Sequence, residues 1–170
     1  VMSEFLPAGV FNVVCGDRDT GKNLVEHATP SMVSITGSVR AGIEVAKSAA
    51  TDVKRVHLEL GGKAPVVVFA DANLQAAAES IAIAGYFNAG QDCTAATRVI
   101  VEASAYDEFV SLLAEQAKNT ATGAPTEDVL FGPVNNANQL ARVTGFLSDV
   151  PAHAKVVAGG KQVARDGFFI

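Results

Sequence analysis

Short β-branched and apolar runs alternate along this chain with stretches patterned at helical spacing, and that alternation confines it to one class of fold. Met32-Val33-Ser34-Ile35, Val53 to Leu60, Pro65-Val66-Val67-Val68-Phe69 and Arg98-Val99-Ile100-Val101 read as strands. Between them, Val39 to about Ala50 places Ile43, Ala46 and Ala50 at helical spacing, and Leu74 to about Phe87 is an alanine-rich helix that Asp71 or Asn73 can cap. Parallel strands need a crossover, usually a helix, so the pattern predicts βαβ units and a mainly parallel sheet, an α/β fold. Pro65 to Phe69, apolar on both faces, reads as a central strand.

The remaining segments fit the same plan. A turn at Leu6-Pro7-Ala8-Gly9 precedes a strand candidate, Val10 to Cys15, and Asp19 to His27 reads as a short helix. Tyr106, Phe109, Val110, Leu113 and Ala117 mark one face of an amphipathic helix. Thr120 to Pro133 is a loop, Ala137 to Leu147 a helix, and Ala154 to Val157 a short strand ending at Gly159-Gly160.

Composition narrows the function classes. The 170 residues suffice for one domain or parts of two, and 49% hydrophobic against 18% charged residues describe a folded chain. A net charge of −5 lacks the basic footprint of a nucleic-acid binder. No apolar run approaches the roughly 20 residues of a membrane-spanning helix, and no signal peptide is visible. Two distant cysteines are too few for a disulfide framework, so a reducing cytoplasm is the expected location. The chain opens just ahead of a strand-like run and stops at Gly167-Phe168-Phe169-Ile170 with apolar residues still arriving, which reads as a piece of something longer.

Four stretches could carry chemistry. Gly16 to Asn23 nearly matches the phosphate loop G-x-x-x-x-G-K-[ST], but Asn23 stands where a magnesium-binding hydroxyl belongs, and two aspartates would repel a triphosphate. A turn with an N-capping Asp or Thr is the simpler reading. Thr36-Gly37-Ser38 lies between a strand and a helix, where free N–H groups attract anions; Ser38 is either a cap or a cofactor ligand. Glu59, before Leu60-Gly61-Gly62-Lys63, sits at the carboxyl end of a strand, where ligands gather in open α/β sheets. Held among apolar neighbours it would have a raised pKa suited to a general base; by spacing alone, an exposed strand-end Glu is favoured. Cys93 follows a glycine bend and two polar residues in Asn88-Ala89-Gly90-Gln91-Asp92, a setting for a reactive thiol, whereas Cys15 reads as a small hydrophobe. His57 and Lys63 read as surface or structural residues, and no metal-ligand spacing surrounds any histidine.

Taken together, Ile35-Thr36-Gly37-Ser38, Glu59-Leu60-Gly61-Gly62-Lys63 and Phe87-Asn88-Ala89-Gly90-Gln91-Asp92-Cys93 resemble, in order and spacing, the signature of the aldehyde dehydrogenase superfamily. Leu6 to Val14 and Tyr106 to Phe109 are similar to the same family, so the likeness covers essentially the whole chain. Within the family, Gln91 to Ala96 and Gly132 to Asn136 look most like enzymes acting on 4-aminobutanal.

The resemblance implies NAD, or NADP, as cofactor and an aldehyde as substrate, with Cys93 as nucleophile and Glu59 activating the hydrolytic water. Thr36, Gly37 and Ser38 would lie along the cofactor, with Leu60 and Gly61 at its nicotinamide end. It also implies that residues 1–61 end a dinucleotide-binding domain, that 62–170 begin a catalytic domain, and that the parent enzyme is a homo-oligomer. Asp92 would attract the ammonium group of an aminoaldehyde or, alternatively, cap a helix and point away. Competing expectations are a catalytically inert module of the same fold and a nucleotide hydrolase using Gly16 to Asn23.

Overall fold

Strand β1 (Met32–Gly37) and strand β2 (Arg55–Leu60) pair in parallel, from Met32↔Arg55 to Gly37↔Leu60, with helix α2 (Val39–Ala50) as the crossover between them. The period of two sends Val33, Ile35, Val56, Leu58 and Leu60 to the face that α2 covers, and Ser34, Thr36, Arg55, His57 and Glu59 to the other. Gly42 on α2 makes the close approach possible: a Cβ there would lie 2.6 Å from both methyl carbons of Leu60. The computed structural model describes residues 2–170 and divides into two units, Val1–Gly61 and Gly62–Ile170.

In the first unit, helix α1 (Arg18–Glu26) leads into β1 and packs on α2. Its C-terminus is held by Lys54, whose side chain is only 2% exposed. The ammonium donates to the carbonyls of Val25 and His27, both at 2.6 Å, and lies 3.3 Å from Asp52 Oδ2. A buried charge requires such partners, and removing them would leave it uncompensated. Val53, expected inside the strand, has φ of 53° and is exposed, so β2 begins at Arg55.

Val10 to Cys15 is not a strand. Residues 12–17 are irregular, and Val13 and Val14 are 71% and 74% exposed. β-Branching makes a segment suitable for a ladder, but a strand exists only with a partner, and among the described residues none runs beside it. Ala154 to Val157 fails as a strand for the same reason.

The second unit holds strand β3 (Pro65–Val68), helix α3 (Leu74–Tyr86), strand β4 (Arg98–Val101), helix α4 (Tyr106–Asn119) and helix α5 (Ala137–Ser148). Strands β3 and β4 are parallel, Pro65↔Arg98 to Val68↔Val101. Among the described residues β3 has no second neighbour, and Val67 and Phe69 are exposed, which corrects the central position expected of it. Asn73, rather than Asp71, caps α3, its Oδ1 accepting from the Ala76 N–H at 3.1 Å. Asn136 caps α5 in the same way through Gln139.

The core of this unit gathers Val68, Ala78, Ile81 and Phe109, where α3 and α4 meet over the sheet. Phe109 is 1% exposed, and its truncation to alanine would remove about 3–5 kcal/mol. Tyr106, expected on the same face, is exposed at the first turn of α4. The C-terminal segment docks on the 120–134 loop: Glu127 binds Arg165 through two hydrogen bonds of 2.9 and 3.1 Å, and the guanidinium lies 4.4 Å over the Phe169 ring. The Val134 N–H donates to the Phe168 carbonyl at 3.0 Å.

Candidate active site

Parallel pairing brings two of the sequence motifs to one edge. Thr36 lies beside Glu59 and Gly37 beside Leu60, so the carboxyl ends of β1 and β2 carry Thr36-Gly37-Ser38 and Glu59-Leu60-Gly61 side by side. Ser38 is the N-cap of α2, its Oγ accepting from the Ala41 N–H at 3.2 Å. A hydroxyl used as an acceptor keeps its own proton, so Ser38 still has a donor to offer. A Cβ on Gly37 would make only ordinary contacts, 3.7 Å to Ile35 and 4.0 Å to Ala41, and one on Gly61 would meet nothing within 4 Å. The chain's own packing therefore does not demand glycine at either position. Close approach of a ligand to this backbone supplies a reason.

Glu59 is not held among apolar neighbours. It projects from the sheet face opposite α2, its side chain 55% exposed, and its Oε1 lies 3.1 Å from His57 Nε2. His57 Nδ1 in turn meets Ser34 Oγ at 3.2 Å. The neighbour of Glu59 is instead His57, expected from the sequence as a surface or structural residue. The strand alternation that puts His57 two residues before Glu59 was the available signal.

Cys93 stands at the head of a turn built from unusual backbone. After α3, the segment Phe87–Gly90 passes through Asn88 at φ 51°, Ala89 at φ 56° and Gly90 at φ 73°, three consecutive left-handed residues. Asparagine and glycine tolerate this region; alanine does so at a cost of about 1–2 kcal/mol. Side chains hold the bend closed: Asn88 Nδ2 donates to the Gln91 carbonyl at 3.1 Å, and Gln91 Nε2 donates to the Asn88 carbonyl at 3.0 Å. Gln91 Oε1 accepts the Asn135 N–H at 3.1 Å, tying the turn to the loop before α5. Beyond the turn, Ala95 is buried and the Ala96 N–H returns to the Ala84 carbonyl at 3.3 Å. The thiol between these anchors is exposed, and among the described residues no hydrogen bond engages the Cys93 N–H. On its other side, a Cβ placed on Gly62 would sit 3.4 Å from the Cys93 carbonyl oxygen.

Asp92 closes a turn rather than capping a helix. Its Oδ1 accepts from the Thr94 N–H at 2.8 Å and from Thr94 Oγ1 at 2.9 Å. The Thr94 N–H, then its hydroxyl, then the Cys93 thiol favour the ionised form and hold the Asp92 carboxyl below its usual range. The same carboxylate lines an open cavity of about 390 Å³ with Ser80, Ile83, Ala84, Phe87 and Thr94. Cys93 is not among the residues lining this cavity.

Gly16 to Asn23 makes a capped turn. The Asp17 carboxylate accepts from the Asp19 N–H at 3.0 Å, placing a negative charge where a phosphate loop would hold its anion. Cys15 is exposed as well, so exposure alone does not separate the two thiols. Among the described residues no group of three or more His, Cys, Asp or Glu side chains could hold a metal ion, and no helix is long and apolar enough to cross a membrane.

The model of the aldehyde dehydrogenase family matches residues 1–170. Among solved structures, lactaldehyde dehydrogenase from Escherichia coli is 40% identical with a TM-score of 0.92, covering 96% of this chain and 35% of its own. A cysteine-to-alanine mutant of aldehyde dehydrogenase C from Pseudomonas syringae, in complex with NAD+ and octanal, is 38% identical with a TM-score of 0.91 and the same coverage. Betaine aldehyde dehydrogenase from Staphylococcus aureus, in complex with NAD+, is 32% identical with a TM-score of 0.83, covering 88% of this chain and 31% of its own. The chain thus spans about a third of the length of these relatives.

Proposed function

We propose, for a chain that belongs to the aldehyde dehydrogenase family, that it carries the nucleophile and the base of an NAD-dependent oxidation of an aldehyde to its carboxylic acid. The substrate we infer is 4-aminobutanal or a related aminoaldehyde. The observation that carries the reading is the presentation of Cys93: an exposed thiol on a turn held from both ends, its N–H uncommitted among the described residues.

Residues 1–61 are read as the end of a dinucleotide-binding domain and 62–170 as the start of a catalytic one. Thr36, Gly37, Ser38, Leu60 and Gly61 would hold the cofactor. The spare donor of Ser38 and the first-turn N–H groups of α2 fit an anionic pyrophosphate, and the open space at Gly61 suits the nicotinamide end. Bound there, NAD would supply the acceptor for a hydride.

The Cys93 thiolate would attack the carbonyl carbon, forming a C–S bond while the π pair moves to oxygen, where the Cys93 N–H donates to it. After oxidation the acyl group is a thioester on sulfur. Glu59 would take a proton from water as the water oxygen adds to the carbonyl; the C–S bond then breaks and the thiolate returns.

The carboxylate of Asp92, next in the chain to Cys93, supports the aminoaldehyde assignment: held ionised by Thr94, it would attract the ammonium end while Cys93 takes the aldehyde. A homo-oligomeric enzyme in a reducing cytoplasm, without nucleic-acid or membrane partners, completes the reading.

Iodoacetamide labelling of a full-length aldehyde dehydrogenase carrying this segment tests it. Cys93 should be alkylated well before Cys15, and NAD should change the rate at Cys93 alone. Equal rates at both thiols, or a Cys93 indifferent to NAD and to 4-aminobutanal, would mark an inert module. Protection by ATP with magnesium would revive the hydrolase.

A further inference from the structure

The parallel register sets Ser34 beside His57 and Thr36 beside Glu59, and the two-residue period puts Ser34, His57 and Glu59 on the sheet face that α2 leaves uncovered. The three side chains form a row: Ser34 Oγ to His57 Nδ1 at 3.2 Å, then His57 Nε2 to Glu59 Oε1 at 3.1 Å. A carboxylate only accepts, so in the neutral imidazole Nε2 must carry the hydrogen and Nδ1 must accept from the Ser34 hydroxyl. No other neutral assignment makes both contacts attractive.

We propose that His57 is a positioning residue for Glu59, oriented by Ser34, and that it makes hydrolysis of the acyl group dependent on pH. The inference rests on the reading of Glu59 as the base. An exposed glutamate otherwise samples several rotamers. The Nε2–H of His57 fixes Oε1 and leaves Oε2 to take the proton of the attacking water; the water oxygen adds to the thioester carbon, the C–S bond breaks, and sulfur leaves as thiolate. Ser34 keeps the imidazole in the tautomer that donates.

Protonation of His57 places a full positive charge against Glu59 and weakens it as a base. Hydrolysis should therefore fall as the imidazole becomes charged. Among the described residues of β1 and β2, Arg55, two residues back on β2, is the other charged group that the register puts on this face. Strand β1 contributes only Met32, Ser34 and Thr36 to this face, none of them charged.

The test uses a full-length aldehyde dehydrogenase carrying this segment and 4-nitrophenyl acetate, which acylates a cysteine without any hydride step. The burst reports acylation, and the steady phase, followed from pH 5 to 9, reports hydrolysis. His57→Gln retains a donor but cannot titrate: it should stay within about threefold of wild type at pH 8 and lose the acid limb. His57→Leu should slow the steady phase about tenfold or more at every pH with its burst intact. A wild-type pH profile in His57→Gln, or wild-type hydrolysis in His57→Leu, overturns the proposal. Glu59→Gln separates the two readings. If it traps the acyl-enzyme while both His57 variants behave as wild type, only the positioning role fails; if it still hydrolyses, the base assignment fails first.

Discussion

Replacing Ala89 by glycine should stabilise the unit that carries it, the reverse of what the same substitution does in a helix. Ala89 sits at φ 56° and ψ 34°, where a Cβ costs roughly 1–2 kcal/mol. Glycine removes that strain but adds about 0.5–1 kcal/mol of unfolded-state entropy, so A89G should gain about 0.5–1 kcal/mol. A141G, at an exposed position inside α5, is the control and should lose about 1 kcal/mol. The chain has no tryptophan, and its two tyrosines, Tyr86 and Tyr106, both lie in Gly62–Ile170. Tyrosine emission during urea unfolding therefore reports on this unit alone. With a slope of about 1–3 kcal/mol per molar urea, the A89G midpoint should rise by roughly 0.3 M and the A141G midpoint fall by roughly 0.5 M. An A89G midpoint that drops in step with A141G refutes the left-handed turn, and with it the account of how Cys93 is presented.

Asp92→Asn keeps an oxygen for the Thr94 N–H and removes only the charge. In the full-length enzyme it should raise KM for 4-aminobutanal about two- to fivefold while leaving butanal unchanged, and equal effects on both would remove the charge recognition. At the other end of this unit, the hydrogen bond from Arg165 holds the Glu127 carboxyl below its usual range. A depressed carboxylate pKa contributes stability above the unfolded value of about 4.5 and loses it as pH falls through the folded one. The protection factors of the Val134 and Val163 amides, which donate to Phe168 and Phe169, should therefore fall between pH 5 and 3 in wild type once the intrinsic slowing of exchange in acid is divided out. Glu127→Gln should be weakly protected throughout; a protection factor that ignores both acid and the substitution counts against the clamp.

Local signals carried most of the fold. Ser38 and Asn73 cap the helices they precede; β1, β3 and β4 follow runs of β-branched residues and β2 an apolar–polar alternation, because each finds a parallel neighbour across a helix. Val10 to Cys15 carries the same composition without a neighbour, so the propensity has nothing to act on. Around Cys93 the limits are sharper. Glycine at position 90 announces a bend, but alanine at 89 favours a helix in isolation, and only the closure by Asn88 and Gln91 holds it left-handed. The bond from Asn135 to Gln91 joins residues 44 apart, beyond any periodicity. Glu59 was legible as a strand-end carboxylate, whereas its partner needed the register of two strands to be seen.

Lys54 gives β2 a fixed root and a loaded tip. The strand begins against a buried ammonium bound to the last turn of α1 and ends at Glu59 and Leu60, where the described residues offer no comparable clamp. Unbroken pairing from Met32↔Arg55 to Gly37↔Leu60 carries that anchorage along both strands, so the helix end gripped by Lys54 and the edge bearing Thr36 and Glu59 belong to one continuous ladder.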